Sequence, residues 1–373
     1  MPDTQTASSI LIKQVPKARL LDVVDLWGFA FDLAQCAPVP GNELGREKMR
    51  SFIETGTSYV VGAFDDGKLA AVAANIDFDM HLGDKWVKAG GIAGVATYPE
   101  YRRKRLVKAL LTDCLQKLHE DGVAIASLWP FNYPFYERMG WSVTDMRHEA
   151  ELSLGLLRTV KGNSGAYKSA ELDNLAPALA VHQRWSEQLN LSLRRDEYRW
   201  RLLLNDPRCR YKLFTHQDGY MLWNMGATTD NTFVVSEWCY LTDDAFRDGL
   251  ALLSHMDSKV YQKVQVTLPE LETLLRLAGP GCMGSTKVRP GMMSRVVNVE
   301  AVFEALPGKV KPDIEISDPL GVSGTVSENP VLEFGPGAFV QHITGFWKTP
   351  NQNFPESLYG TAAQYPPFSI ERY

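Results

Sequence analysis

The sequence predicts an α/β (α+β) chain laid out as three successive units, and three observations carry that prediction. Residues 86–141 read strand, basic helix start, amphipathic helix, strand and short aromatic helix, the order of a helix packed on a sheet beside an anion site. Between about 210 and 255 the order hairpin, long strand, helix returns in weaker form, which points to a second copy of the same unit. From Met292 onward that rhythm stops. The chain then closes on Tyr365-Pro366-Pro367-Phe368, aromatic where a free tail would be polar.

In order, Ile10 to Val15 reads as a first strand, and Leu20, Val23, Val24, Trp27 and Phe31 give a helix over 20–31. A loop with two prolines, AQCAPVPGN, separates it from a more polar helix over Glu43 to Ile53. The strands Tyr59–Phe64 and Leu69–Ile76 are joined by Asp65-Asp66-Gly67, whose Asp-Gly step is a strong hairpin signal. Trp86 to Tyr98 is a long strand that stops at Pro99. Arg102, Arg103, Lys104 and Arg105 follow at the mouth of a helix whose Leu106, Leu110, Cys114 and Leu118 recur every fourth residue. Free amides at a helix start, with cations added, make an anion site, so a phosphate-bearing cofactor is expected there. Val123–Leu128 and a short helix carrying Tyr136 complete the unit, with Trp129, Phe131, Tyr133 and Phe135 as the wall of a pocket.

The second copy begins with helices marked by Leu175, Leu179, His182 and Trp185 and by Glu197–Leu204. A turn at Gln217-Asp218-Gly219, a long strand Thr232–Leu241 and a helix with Phe246, Leu250 and Leu253 follow. The start of that helix, Leu241-Thr242-Asp243-Asp244, caps well but repels a diphosphate, so this copy is expected not to bind the cofactor. The closing unit holds a strand, a helix over Val299–Leu306, a strand near Asp313–Ile316, a glycine-punctuated stretch to Phe334 and a short apolar helix over Ala338–Ile343.

Composition sets the outer limits. At 373 residues two or three domains are expected, and 45% apolar with 22% charged residues fits a soluble globular protein. A formal charge of −5 argues against nucleic acid as the partner. Five dispersed cysteines without a CxxC pair suit reduced cytoplasmic thiols, and the histidines show no metal-binding spacing, so no metal is expected. The stretch MPDTQTASSI lacks the pattern of a secretory signal, and no apolar run reaches about 18 residues, so no membrane span is expected either.

The run YPEYRRKRLVKALL resembles motif A of the GCN5-related N-acetyltransferases (GNATs), and FYERMGW resembles the motif that follows it. The length, the extra C-terminal material and the aromatic end are similar to the Eis-like (enhanced intracellular survival) branch. The resemblance implies a GNAT domain with a mixed central sheet over 1–150, a degenerate GNAT-like domain over 151–290, and a sterol-carrier-like domain over 291–373. It implies acetyl-CoA as co-substrate and direct transfer, in a ternary complex, to a polyamine- or aminoglycoside-like amine. A cytoplasmic homo-oligomer, hexameric as in Eis-like proteins, is also implied.

Residue by residue, the resemblance gives main-chain groups at Val95 and Thr97, flanking Ala96, to the pantetheine arm and the thioester carbonyl. The diphosphate motif Q/R-x-x-G-x-G/A starts at Arg102, spans Arg103, Lys104 and Leu106, and places Arg105 and Val107 where small residues belong. An arginine at 105 either swings aside and adds a hydrogen bond to phosphate or blocks the cradle. Blockage would leave a silent GNAT-fold binding or regulatory protein, and a different acyl donor also stays open. Tyr136 falls where the family has the tyrosine that protonates the leaving thiolate, and a phenol near 10 is within reach of a thiol near 8.5. In Eis-like enzymes the chain's own final carboxylate serves as base, which here is that of Tyr373; Glu137 and His119 are the other groups at hand. Asp25 and Asp32, on the implied acceptor side, are read either as attractors of a cationic amine or as solvated helix charges.

Overall fold

The computed structural model describes residues 10–170, 174–204, 210–229, 231–306, 314–323 and 332–346. The first part of the chain folds as β1 (Leu11–Gln14), α1 (Leu20–Ala30), α2 (Glu43–Gly56), β2 (Tyr59–Asp65), β3 (Lys68–Leu82), β4 (Lys85–Thr97), α3 (Leu106–Glu120), β5 (Ile125–Leu128), α4 (Tyr133–Glu137) and β6 (Ser142–Val143). Asp66 and Gly67 turn the β2–β3 hairpin with φ of 47° and 78°, the left-handed pair that a tight two-residue turn needs. β3 continues past the expected Ile76 to Leu82 because its alternation persists: Ile76, Phe78, Met80 and Leu82 are buried while Asp77 and Asp79 face out.

The second part gives β7 (Met146–Ser153), α5 (Leu154–Leu157), β8 (Lys168–Ala170), α6 (Ala176–Ser186), α7 (Glu197–Leu204), β9 (Tyr211–His216), β10 (Gly219–Thr229), β11 (Thr232–Tyr240), α8 (Asp243–Ser254), β12 (Lys263–Leu268), α9 (Glu272–Ala278) and β13 (Met283–Pro290). Last come β14 (Met293–Val296), α10 (Val299–Ala305), β15 (Ile314–Ile316), β16 (Leu332–Phe334) and α11 (Pro336–Ile343).

Two mixed seven-stranded sheets result, ordered β1-β2-β3-β4-β5-β14-β6 and β13-β7-β12-β11-β10-β9-β8, with a small β15-β16 pair beside them. The chain passes from the first sheet to the second at β7 and returns to the first at β14. β7 starts at Met146 and joins the second sheet, whereas β14 returns to the first and pairs with β5 from Met293↔Leu128 to Val296↔Ile125. Without β14 the outer edge of β5 would lack a partner, and all four β14 residues are buried there.

Each face of the first sheet has its own cover. α3 seals one face through Leu106, Leu110, Leu111, Cys114, Leu115 and Leu118. On the other lie α1 and α2 at the N-terminal strands, and α10, α11 and the β15-β16 pair farther along. The described residues of the closing segment are thus built onto the first sheet; the expected sterol-carrier-like domain extends into residues 347–373, outside the described residues, and with it Tyr373.

The two sheets are tied by an extended segment before α7. Leu191 donates to the carbonyl of His81 at 2.8 Å, His81 to that of Ser192 at 2.9 Å, and Arg194 to that of Asp79 at 2.8 Å, which prolongs the first sheet along β3. Behind it a fully buried ionic cluster holds α6 to the second sheet. Arg195 forks onto Glu237 at 3.0 and 2.9 Å, the Tyr220 hydroxyl donates to the same carboxylate at 3.0 Å, and His182 Nδ1 lies 3.0 Å from that hydroxyl.

Candidate active site

The site starts from a gap in the first sheet. β4 and β5 pair in parallel only from Ala89↔Ile125 to Gly91↔Ser127, and beyond Gly91 they splay. In the stretch Ile92–Thr97, Ile92, Ala93, Ala96 and Thr97 keep β3 partners, but the stretch has no strand on its β5 side among the described residues. It therefore presents free main-chain donors and acceptors within the sheet, the edge to which an extended chain adds as a strand.

A bulge aims this edge. The β3 register slips between Val72↔Ala96 and Ala74↔Ala93, and Gly94 in the slip has φ +60°. The Gly94 carbonyl accepts the indole N–H of Trp27 from α1 at 2.8 Å. A Cβ at 94 would meet the Trp27 ring at 1.9 Å, so only glycine fits under that ring. Just beyond, the Thr97 Oγ1 is buried without a hydrogen-bond partner among the described residues.

Beside the open edge sits the start of α3. Its N-cap is Arg105, with φ 62° and ψ 16°, and Arg103 is also left-handed at φ 66°. The backbone at 105 thus has the conformation a glycine would take, although the residue is arginine. Its side chain is exposed, as are those of Arg102, Arg103 and Lys104, and none of the four forms an ion pair with a described residue. Lys104 rests over the Tyr101 ring at 4.7 Å. Four unneutralised cations around a helix N-terminus oppose its dipole, an arrangement that favours an anion between them. An extended edge, an orphaned threonine hydroxyl and a cationic helix start fit the arm and diphosphate of a coenzyme A thioester.

Tyr136 is placed from below. Asn132 caps α4 by accepting the Phe135 amide at 3.0 Å, and the ring of Tyr136 packs edge-on to Phe131 and Phe135 at 5.4 and 5.1 Å. The tyrosine belongs to the apolar cluster that contains Leu106 and Leu110, with Val95 and Val107 packed against it. Strand edge, helix start and phenol therefore share one face of the sheet. Burial raises the Tyr136 hydroxyl above its ordinary pKa, and no described residue hydrogen-bonds it.

The remaining candidates separate. His119 lies at the far end of α3, roughly 20 Å from the basic turn by helical rise, and its Nδ1 is bonded to the carbonyl of Val297 at 3.0 Å. Glu137 faces a cavity of about 540 Å³ bounded by Gly140, Trp141, Pro319, Pro336 and Phe346, which none of Val95, Thr97 or Arg105 lines. Asp25 is paired with Arg46, whose guanidinium also holds the Cys36 carbonyl, so it is largely neutralised; Asp32 sits exposed at φ 53°. Cys36, Cys114, Cys239 and Cys282 are buried and form no disulfide among the described residues, and no group of three metal-ligating side chains occurs there. No described helix is long and apolar enough to cross a membrane.

The equivalent helix start in the second sheet is closed. Thr242 caps α8 by accepting the Ala245 amide at 3.1 Å, and Asp243 and Asp244 are held by Arg276 and Arg247. Its end of the helix carries acid where α3 carries base. What the sequence reading missed is the Trp27–Gly94 contact and the buried Arg295. A lone glycine inside the strand IAGVAT is a bulge signal, whereas an arginine within MMSRVV announces only a conflict between burial and charge.

Comparison with known proteins gives the family of both sheets. Two acetyltransferase (GNAT) domain models match, one over residues 12–144 and one over 191–296, so that each sheet carries one. The N-acetyltransferase Eis of Mycobacterium tuberculosis is 25% identical over 295 residues, 72% of either chain. An uncharacterized N-acetyltransferase of Streptomyces griseus is 30% identical over 106 residues, 28% of this chain and 25% of that one. Among solved structures, a probable N-acyltransferase of Enterococcus faecalis superposes with a TM-score of 0.78 at 20% identity, over 98% of this chain and 100% of that one. Eis1 of Mycobacterium abscessus superposes with a TM-score of 0.71 at 19% identity, over the same shares of the two chains. With both sheets matched as acetyltransferase domains and an Eis relative spanning most of its length, the chain belongs to the GNAT acetyltransferases, in their Eis-like branch.

Proposed function

We infer that the first domain moves the acetyl group of acetyl-CoA to the amine of a small molecule, polyamine- or aminoglycoside-like, by direct attack in a ternary complex. The observation that carries this is the open edge of β4 from Ile92 to Thr97 lying beside the left-handed, cationic start of α3. The first-turn amides at Leu106 and Val107 would hold the diphosphate, with Arg102, Arg103, Lys104 and Arg105 around it. Main-chain groups at Val95 and Thr97, either side of Ala96, would take the pantetheine arm as an added strand and orient the carbonyl.

The amine nitrogen bonds to the acetyl carbon, the carbon–sulfur bond breaks, and its electron pair leaves on sulfur. Tyr136 gives its hydroxyl proton to that sulfur and regains one from solvent. The proton shed by the nitrogen goes to the α-carboxylate of Tyr373, directly or through water, a role that rests on the resemblance to Eis-like enzymes. A phenol raised by burial stands protonated at neutral pH, and the same dry surroundings raise the thiol it serves, which keeps the two within reach of each other. The acidic helix start of α8 supports a second domain that binds no diphosphate. The closing segment is proposed as the sterol-carrier-like unit that brings the terminus to the site, in a cytoplasmic homo-oligomer, hexameric as the resemblance implies.

Calorimetric titration of the full chain with acetyl-CoA, followed by thiol release on adding a polyamine or an aminoglycoside, tests the reading. Saturable heat together with thiol release supports it. Heat without release from any amine leaves the fold a binder, and absence of both overturns the assignment.

A further inference from the structure

Arg295 is the largest charged side chain with no exposure among the described residues, and it belongs to neither the cradle nor the acceptor side. It stands on β14, opposite Ala126 of β5. One arm of its guanidinium donates to the Met139 carbonyl at 2.6 Å. The other donates to Asp318 Oδ2 at 2.5 Å and to the Ser323 hydroxyl at 3.0 Å. The face of the group lies 5.9 Å from the Trp141 ring. Asp318 is itself fixed, accepting the amides of Leu320, Val322 and Ser323 at 2.9, 2.8 and 2.9 Å. A buried fork with every visible acceptor in place is costly to assemble and rigid once made.

Both sides of the fork matter. Met139 and Trp141 donate their amides to the Tyr136 carbonyl at 2.9 and 3.3 Å, so residues 136–141 form one closed turn, and it is the Met139 carbonyl of this turn that Arg295 holds. Asp318 and Ser323 belong to the closing segment. The same turn is gripped again from that segment, since Gly337 at the start of α11 donates to the Gly140 carbonyl at 2.9 Å and Gln341 to that of Val143 at 2.6 Å. The aromatic helix is thus clamped by the C-terminal part of the chain.

Resting on the reading of Tyr136 as proton donor, we propose that Arg295 is a positioning residue for transfer: it sets the height of the Tyr136 hydroxyl and couples the 318–323 loop to the reacting centre. A donor must stand within about 0.5 Å of its productive position, and a displacement near 1 Å costs roughly a hundredfold. Lysine at this position has one compact head and cannot span Met139 and Asp318 together.

A double-mutant cycle of Arg295→Lys with Tyr136→Phe separates this from a general loss of stability. The single Arg295→Lys variant is expected to lose roughly tenfold or more in kcat with its KM for acetyl-CoA within about twofold of wild type. In the Tyr136→Phe background the same change should cost less than about twofold, because the group it positions is gone. Equal losses in both backgrounds would overturn the proposal while leaving Tyr136 as acid. An unaltered kcat in Tyr136→Phe alone would remove the acid role and the proposal with it. If Arg295→Lys fails to fold, the cycle of Ser323→Ala with Tyr136→Phe decides by the same comparison: a loss of about twofold or more that vanishes in the Tyr136→Phe background supports positioning, and no loss, or an equal one, refutes it.

Discussion

The indole of Trp27 donates to the carbonyl of Gly94 at 2.8 Å, and its ring occupies the space a side chain at 94 would need. This contact joins α1, on the implied acceptor side, to the bulge that frees β4 from β5. Gly94→Ala forces a left-handed alanine against the ring. It should destabilise the protein by about 2–4 kcal/mol and lower kcat/KM about a hundredfold by shifting the open edge. Trp27→Phe removes the hydrogen bond and leaves a cavity where the indole lay over Gly94, and should cost about 2 kcal/mol. Thermal unfolding and steady-state kinetics on both variants check the order of the two effects.

Arg105 offers a cleaner experiment, because its backbone and side chain pull in opposite directions. Arg105→Gly removes the left-handed cost at φ 62°, so stability should rise by about 1 kcal/mol, or roughly 2–4 °C in Tm. The same change deletes an exposed cation beside the helix start, so acetyl-CoA should bind several-fold more weakly at low salt and by a smaller factor at high salt. Tighter binding by the glycine variant would mean that the guanidinium obstructs the diphosphate.

Much of this was legible because the relevant signals are local. The Asp66-Gly67 turn, the fourfold spacing from Leu106 to Leu118 and the Thr242 cap each lie within a few residues, where sterics and periodicity decide. The resemblance at Arg102–Val107 then named the cradle. What stayed hidden is long-range. No local pattern says that Met293–Val296 crosses back to pair with β5, or that Trp27 will lie over Gly94 after a separation of 67 residues. Nor does it say that Arg195, Glu237, Tyr220 and His182 meet in one buried cluster.

Tyr136→Phe should lower kcat about 10²–10³-fold with little change in the KM for acetyl-CoA, the pattern of a group used only in the transition state. Burial raises the phenol, so the neutral, donating form persists to above pH 10. The alkaline side of the kcat profile below pH 10 therefore belongs to another group. A limb in that range that disappears in Tyr136→Phe would contradict the pKa shift.

The cluster around His182 makes the second domain acid-sensitive. Burial, with the nearby Arg195 charge, depresses the imidazole to about 3, so the folded chain keeps this ring neutral. Between pH 6.5 and 3 the unfolded chain carries a proton there that the folded chain lacks, and stability falls as pH drops through that window. From this one group the loss between pH 7 and 5 should be about 2 kcal/mol. His81, whose pKa is also lowered by burial, adds to it in the same direction. Urea midpoints followed by tryptophan fluorescence suit the measurement, since the Trp185 and Trp200 rings stand 6.3 and 6.0 Å from His182. His182→Gln should start less stable at pH 7, having disturbed the bond to Tyr220, yet lose less on going to pH 5. A variant with the wild-type slope would place the acid sensitivity outside His182, because an amide that cannot titrate cannot contribute to the proton uptake that drives unfolding.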